Sequence, residues 1–145
     1  MNLEDAMRIS ASGLNAQKMR LNIISSNLAN VDSTQTEKGG PYQRRDVVFK
    51  SSPVEQSFET TLRGNLDTSE QGVEVSQIVL DQRPFRKVYE PQNPSANEEG
   101  YVLYPNINAM EEMVNMMSAL RSYEANVTAL NATKSMAGKA LEIGR

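Results

Sequence analysis

Apolar residues recur with a helical period at both ends of this chain and with shorter, strand-like periods between them. Toward the C-terminus, with Met113 taken as an a position, the a residues are Met113, Leu120, Val127, Lys134 and Leu141. The d residues are Met116, Tyr123, Leu130 and Ala137. All but Lys134 can be buried along one seam, as two helices wound around each other require. Pro105 cannot sit inside a helix, Asn108 can cap the free N–H groups, and Glu111 stands where a capping-box acid belongs. A helix from Asn108 to the end would be about 50 Å long at roughly 1.5 Å per residue. A domain of this size cannot enclose it, so the pattern predicts partners.

Residues 2–31 carry the second long helical pattern. Asn2 can cap it, and Glu4 and Asp5 lie where the helix dipole favours anions. Met7, Leu14, Leu21 and Leu28 recur every seven residues, interleaved with Leu3, Ser10, Gln17, Ile24 and Val31. This is a heptad seam with Ser10 and Gln17 as polar interruptions, which lower stability but can fix register. A second stripe, Ile9, Ala16 and Ile23, lies about 200° around the same helix, at roughly 100° per residue.

Charges are scarce on both helices. From Ile9 to Val31 they are Lys18 and Arg20; from Met113 to Thr133 they are Arg121 and Glu124. An exposed coiled coil is laced with charge at its outer positions, so both helices are expected to be covered on more than one face. Ile9, Ala16, Ile23, Asn27, Asn30, Met117, Asn126 and Asn131 are the residues expected to meet sister subunits. The asparagines supply polar contacts between closely packed helices. The plainer alternative is that these are ordinary helix-forming residues.

Between Asp32 and Pro105 the texture changes. Charge returns, and Gly39-Gly40-Pro41 and Ser51-Ser52-Pro53 are expected to break the chain. Strand-like runs cover 42–50, 73–80, 84–89 and 100–104, and 91–100 reads as a loop. The predicted fold is mainly α, with long N- and C-terminal helices paired as a coiled coil and a small β-rich or extended middle. The parts are 1–31, 32–105 and 106–145.

Composition then narrows the chemistry. The formal net charge is −3 and the pI about 5.1, which gives no electrostatic reason to expect nucleic acid. Arg44-Arg45 and Arg86-Lys87 read as solvated surface. With neither cysteine nor histidine, thiol chemistry, disulfides, imidazole catalysis and the usual zinc sites are excluded. No stretch of 18 apolar residues exists, so membrane insertion is not expected. The start, Met-Asn-Leu-Glu-Asp-Ala-Met, has no basic n-region or apolar h-region, so a cleavable secretory signal is not expected either.

Enzyme readings lack parts. Glu98-Glu99 and Glu111-Glu112 are adjacent pairs whose side chains do not converge, and they read as surface or helix-start charges. Gly39-Gly40 lacks the surroundings of a phosphate loop. Met110, Met113, Met116 and Met117 invite a thioether copper site, but methionine fills helix interfaces well and the packing reading is preferred. No catalytic constellation, cofactor or metal is expected.

Ser12-Gly13-Leu14-Asn15-Ala16, Leu21 and Asn27-Leu28-Ala29-Asn30-Val31 together resemble the N-terminal signature of bacterial flagellar basal-body rod and hook proteins. Glu112-Met113-Val114, Arg121-Ser122-Tyr123-Glu124-Ala125-Asn126 and Ala140-Leu141-Glu142-Ile143-Gly144 are similar to the C-terminal signature of that family. The short length and Tyr42-Gln43-Arg44-Arg45 point toward its proximal-rod members. One departure concerns the turn after Asn-Leu-Ala-Asn: here Asp32-Ser33-Thr34 continues through Gln35 to Pro41 before Tyr42.

The resemblance implies that the terminal helices pair as an inner-tube coiled coil. Its seam within the subunit would comprise Met7, Leu14, Leu21, Ile24, Leu28, Met113, Met116, Leu120, Tyr123, Val127, Leu130 and Leu141. It further implies helical stacking around an export channel in the periplasm, delivery by the flagellar type III export apparatus, and contacts with itself, other rod subunits, the membrane-ring adaptor and the distal rod. The competing reading is a helical secretion adaptor or chaperone-like module with a Met-rich groove. A small carboxylate hydrolase ranks last.

Overall fold

The computed structural model describes residues 3–37, 39–53 and 71–143. Helix α1 spans Leu3–Ala29 and helix α2 spans Ala109–Ile143, 27 and 35 residues long. Between them lie four short strands, β1 (Arg45–Pro53), β2 (Gln71–Leu80), β3 (Arg86–Tyr89) and β4 (Tyr101–Tyr104). The two long helices and the strand-bearing middle lie where the periodicity puts them. Asn2, the expected cap of α1, lies outside the described residues.

The helix ends follow from local chemistry. Glu4 in the first turn of α1 accepts a hydrogen bond from Arg8 at 2.6 Å, one turn on. At the far end Asn30 donates to the Ser26 carbonyl through its backbone and side-chain amides, and Ser33 donates to the Asn30 side chain. These bonds close the last turn and aim the chain away from the helix axis. The linker after it is a short excursion: Gly39 and Gly40 take φ of 82° and 77°, and the Tyr42 amide returns to the Ser33 carbonyl. For α2, Asn108 accepts from the Met110 amide at 3.0 Å and caps the helix as expected.

The strands form two separate antiparallel hairpins, β1 with β2 and β3 with β4. Ser51-Ser52-Pro53 closes β1 rather than interrupting it, with Pro53 at the strand's end, where a missing ladder donor is tolerated. A bulge between Val48 and Phe49 leaves Ser76 of β2 without a partner, which bends the ladder. The hairpin lies along α1, and the Val73 amide donates to Ser12 Oγ at 3.1 Å. Thus α1 is flanked within the chain by α2 and by the hairpin.

The core is small and off-centre. Ala16, Ile23, Ile24, Tyr42, Val102, Pro105, Ile107 and Ala119 are buried, contributed by α1, the linker, β4, the approach to α2 and α2 itself. Among the described residues no helix is long and apolar enough to cross a membrane.

Candidate assembly surface

The junction of α1, linker, β1 and α2 is closed by a polar node. Asn27, on the last turn of α1, has no exposed surface. Its Nδ2 donates to the Arg45 carbonyl at 2.8 Å and to Glu112 Oε2 at 3.0 Å. Its Oδ1 accepts from the Arg45 amide at 3.0 Å and from the Tyr42 hydroxyl at 3.2 Å. An amide side chain has two donors and two acceptor sites, so every one is used. Glu112, equally buried, takes its second bond from Arg44 Nε at 2.8 Å.

Arg44 is the charged centre of this node. It also donates from a terminal nitrogen to Asp46 at 3.0 Å and lies 3.5 Å from Asp81. Burial pulls its pKa down, but hydrogen bonds to Asp46 and Glu112 outweigh that and hold it above the ordinary arginine value. Asp81 is gripped by Arg83 at 2.8 and 2.7 Å, and this hydrogen bonding lowers its pKa despite an opposing effect of burial. Asn106 donates to the carbonyls of Asp81 and Arg83 and accepts from the Arg44 amide, tying the approach to α2 into the same corner. Two expectations are corrected here. Glu112 is not a surface charge, and of the Arg44-Arg45 pair only Arg45 is solvated, its guanidinium 5.5 Å from the Tyr42 ring centre. Long-range pairing, invisible in local spacing, buries both charges. Glu112, Asp46 and Asp81 each face an arginine.

Two contacts set how α1 and α2 lie together. Asn27 bonds Glu112, and Gly13 sits so close to Asn126 that a Cβ there would stand 3.0 Å from its Nδ2. Both pairs fit a single antiparallel register. In that register Ala6, Ile9, Gly13, Ala16, Arg20, Ile23 and Asn27 form one stripe of α1, spaced alternately by three and four residues. On α2 the covered side carries Glu112, Met116, Ala119, Tyr123, Asn126, Leu130, Thr133 and Ala137. The contact is therefore built largely from small and polar residues. Thr133 satisfies its hydroxyl on the Ala129 carbonyl at 2.9 Å, and Gly13 and Ala119 let the helices approach.

Against this geometry the sequence-derived sites sort as follows. Met116, Tyr123, Val127 and Leu130 are half-buried, Ile24 is buried, and Met7, Leu14, Leu21 and Leu28 are half-buried. Met113, Leu120 and Leu141, placed by the heptad on the seam within the subunit, stand 46%, 43% and 76% exposed. Of the residues assigned to sister subunits, Ala16, Ile23 and Asn27 are buried within this chain, Ile9, Asn30 and Asn126 are half-buried, and Met117 and Asn131 are exposed. The covered side of α2 thus lies one residue before the a positions of the heptad.

That offset turns the large apolar side chains of α2 outward. Met110, Met113, Val114, Met117 and Leu120 are all exposed, and at roughly 100° per residue they centre on the side opposite Ala119. They do not fill a core, as the packing reading of the methionines expects. In the antiparallel register Leu3 lies opposite Met136, so residues 137–143 of α2 reach past the described start of α1. The hairpin adds Val48, Val73, Ile78 and Leu80 to the exposed apolar surface. Clustered exposed apolar side chains of this kind mark a contact with another molecule.

Comparison with known proteins points the same way. The family model described as flagella basal body rod protein matches residues 7–35, and that described as flagellar basal body rod FlgEFG protein C-terminal matches residues 98–143. The chain is 46% identical to the flagellar basal-body rod protein FlgC of Bacillus subtilis over 147 residues, which cover 97% of each chain. It is 40% identical to the protein of that name in Borreliella burgdorferi over 149 residues, covering 99% of this chain and 98% of the relative. The FlgC of Salmonella typhimurium is 42% identical over 147 residues, with full coverage of both.

Proposed function

Because the chain belongs to the flagellar basal-body rod proteins, and is a structural subunit of that rod rather than an enzyme, we propose that it builds the proximal rod through the outward face of α2. Its ends, 1–31 and 106–145, wind as an inner-tube coiled coil, and 32–105 forms the surrounding β-rich part. Copies and other rod components stack helically around the export channel and carry torque. On this reading further contacts are made with the adaptor at the membrane ring and the distal rod. The type III export apparatus delivers the subunit to the periplasmic part of the basal body.

One observation carries the mechanism. The contact within the chain uses largely small and polar residues, with Ile9, Ile23, Met116, Tyr123 and Leu130 among them, while Met110, Met113, Val114, Met117 and Leu120 remain uncovered. Unlike surfaces that meet head to tail without closing generate helical tubes. The secretion-adaptor reading is not favoured by the full-length match to rod proteins.

Leu120→Asp tests this directly. With Leu120 43% exposed, it should cost the free chain only about 1–2 kcal/mol through lost partial burial and helix propensity. In the rod it would bury an unpaired charge, an effect of several kcal/mol. The variant should therefore fold, fail to appear in purified basal bodies, and abolish swimming. Normal incorporation would remove this face from the assembly.

A further inference from the structure

The outward face of α2 has a chemical vulnerability that its role in assembly does not require. The chain contains no cysteine and no tryptophan but eight methionines, so thioethers are its most readily oxidised side chains. Met110, Met113 and Met117 are 70%, 46% and 53% exposed, and their spacing places all three on one side of α2. Met116, one residue away in sequence, is half-buried toward α1. The same helix thus carries a target group and an internal reference.

Resting on the reading of this face as a subunit contact, we propose that Met110, Met113 and Met117 form an oxidation site that reversibly controls assembly. The oxidant is a peroxide. The thioether sulfur donates a lone pair to one peroxide oxygen, the O–O bond breaks, and the departing hydroxide takes a proton to leave as water. Sulfur loses two electrons and becomes a sulfoxide, and the peroxide is reduced. The new S=O group is a strong acceptor in a contact that presents apolar side chains. Burying it without a donor weakens association by roughly tenfold or more per residue. A methionine sulfoxide reductase supplied with a dithiol returns the thioether: two thiols become a disulfide, the sulfoxide oxygen leaves as water, and the contact is regained.

The test uses the purified full chain and hydrogen peroxide. Peptide mass spectrometry should find Met110, Met113 and Met117 oxidised ahead of Met116. Sedimentation over a concentration series should show the midpoint of self-association raised by at least about tenfold, and restored by the reductases. A Met110→Leu, Met113→Leu, Met117→Leu variant, compared with its own untreated state, should keep its midpoint after peroxide. An equal loss in that variant, or unchanged association of the sulfoxidised chain, would overturn the inference. Leu120→Asp separates the two levels. If it fails to associate while the sulfoxidised chain still does, only the oxidation site is lost. If Leu120→Asp associates normally, or the untreated chain does not associate, the reading of this face falls and the inference with it.

Discussion

Replacing Glu112 by glutamine alters almost no volume and yet attacks the point where the chain's parts are joined. Glu112 has a side chain only 1% exposed and accepts from two donors, Arg44 Nε and Asn27 Nδ2. A carboxamide has one oxygen and one NH2 group, so whichever way it turns, one N–H must face another N–H. Losing one buried, charge-assisted bond and leaving its donor unpaired costs roughly 1.5–3 kcal/mol. Arg44 keeps Asp46 and Asp81, which limits the damage from the lost charge. Against a total stability of about 5–15 kcal/mol for a domain, that is large. Denaturant unfolding of the purified chain followed by circular dichroism should read it as a lowered midpoint. The sharper test is a cycle with Asn27→Ala. With Asn27 gone, glutamine can give its oxygen to Arg44 and turn its NH2 to the vacated space. Glu112→Gln should then be milder by about 1–2 kcal/mol. Strict additivity, or a Glu112→Gln chain as stable as the parent, would refute the two-donor account.

Gln17 Oε1 is buried with no hydrogen-bond partner among the described residues, so Gln17→Met, which keeps length and volume, should stabilise the chain by about 1 kcal/mol in the same unfolding assay. Asp81 supplies a pH dependence whose sign is set by its lowered folded pKa. Its contribution is complete above the unfolded value of about 3.9 and is lost as pH falls through the folded one, so Asp81→Asn should flatten the acid side of the stability–pH curve. An unchanged acid limb would contradict this.

The element types were legible because each rests on short-range pattern. Heptads at both ends mark the helices, Asn108 marks the cap, and strand-like runs over 42–50, 73–80, 84–89 and 100–104 mark the four strands, though not their pairing. The side of α2 that meets α1 was not. A heptad reading selects the largest apolar residues, Met113 and Leu120, whereas the contact within the chain selects residues small enough for close approach, such as Gly13 and Ala119. Hydrophobicity marks what must be covered in the end, not which neighbour covers it. The polar node was illegible for another reason. Asn27 and Glu112 are 85 residues apart and Arg44 and Glu112 are 68 apart, so no local spacing connects them. The nearest signal was Asn27 within the Asn-Leu-Ala-Asn motif, in a stretch of α1 that carries no charge after Arg20.

The claim that matters most is that the outward side of α2 is wet in the free subunit and dry in the rod. The native chain has no cysteine, so a single one introduced as Met117→Cys, or separately as Val114→Cys, reports on that surface alone. Its rate of reaction with a maleimide is to be measured in the purified subunit and in basal bodies from motile cells. Prompt labelling of the free chain and protection in the basal body are predicted; equal labelling in both would contradict the account.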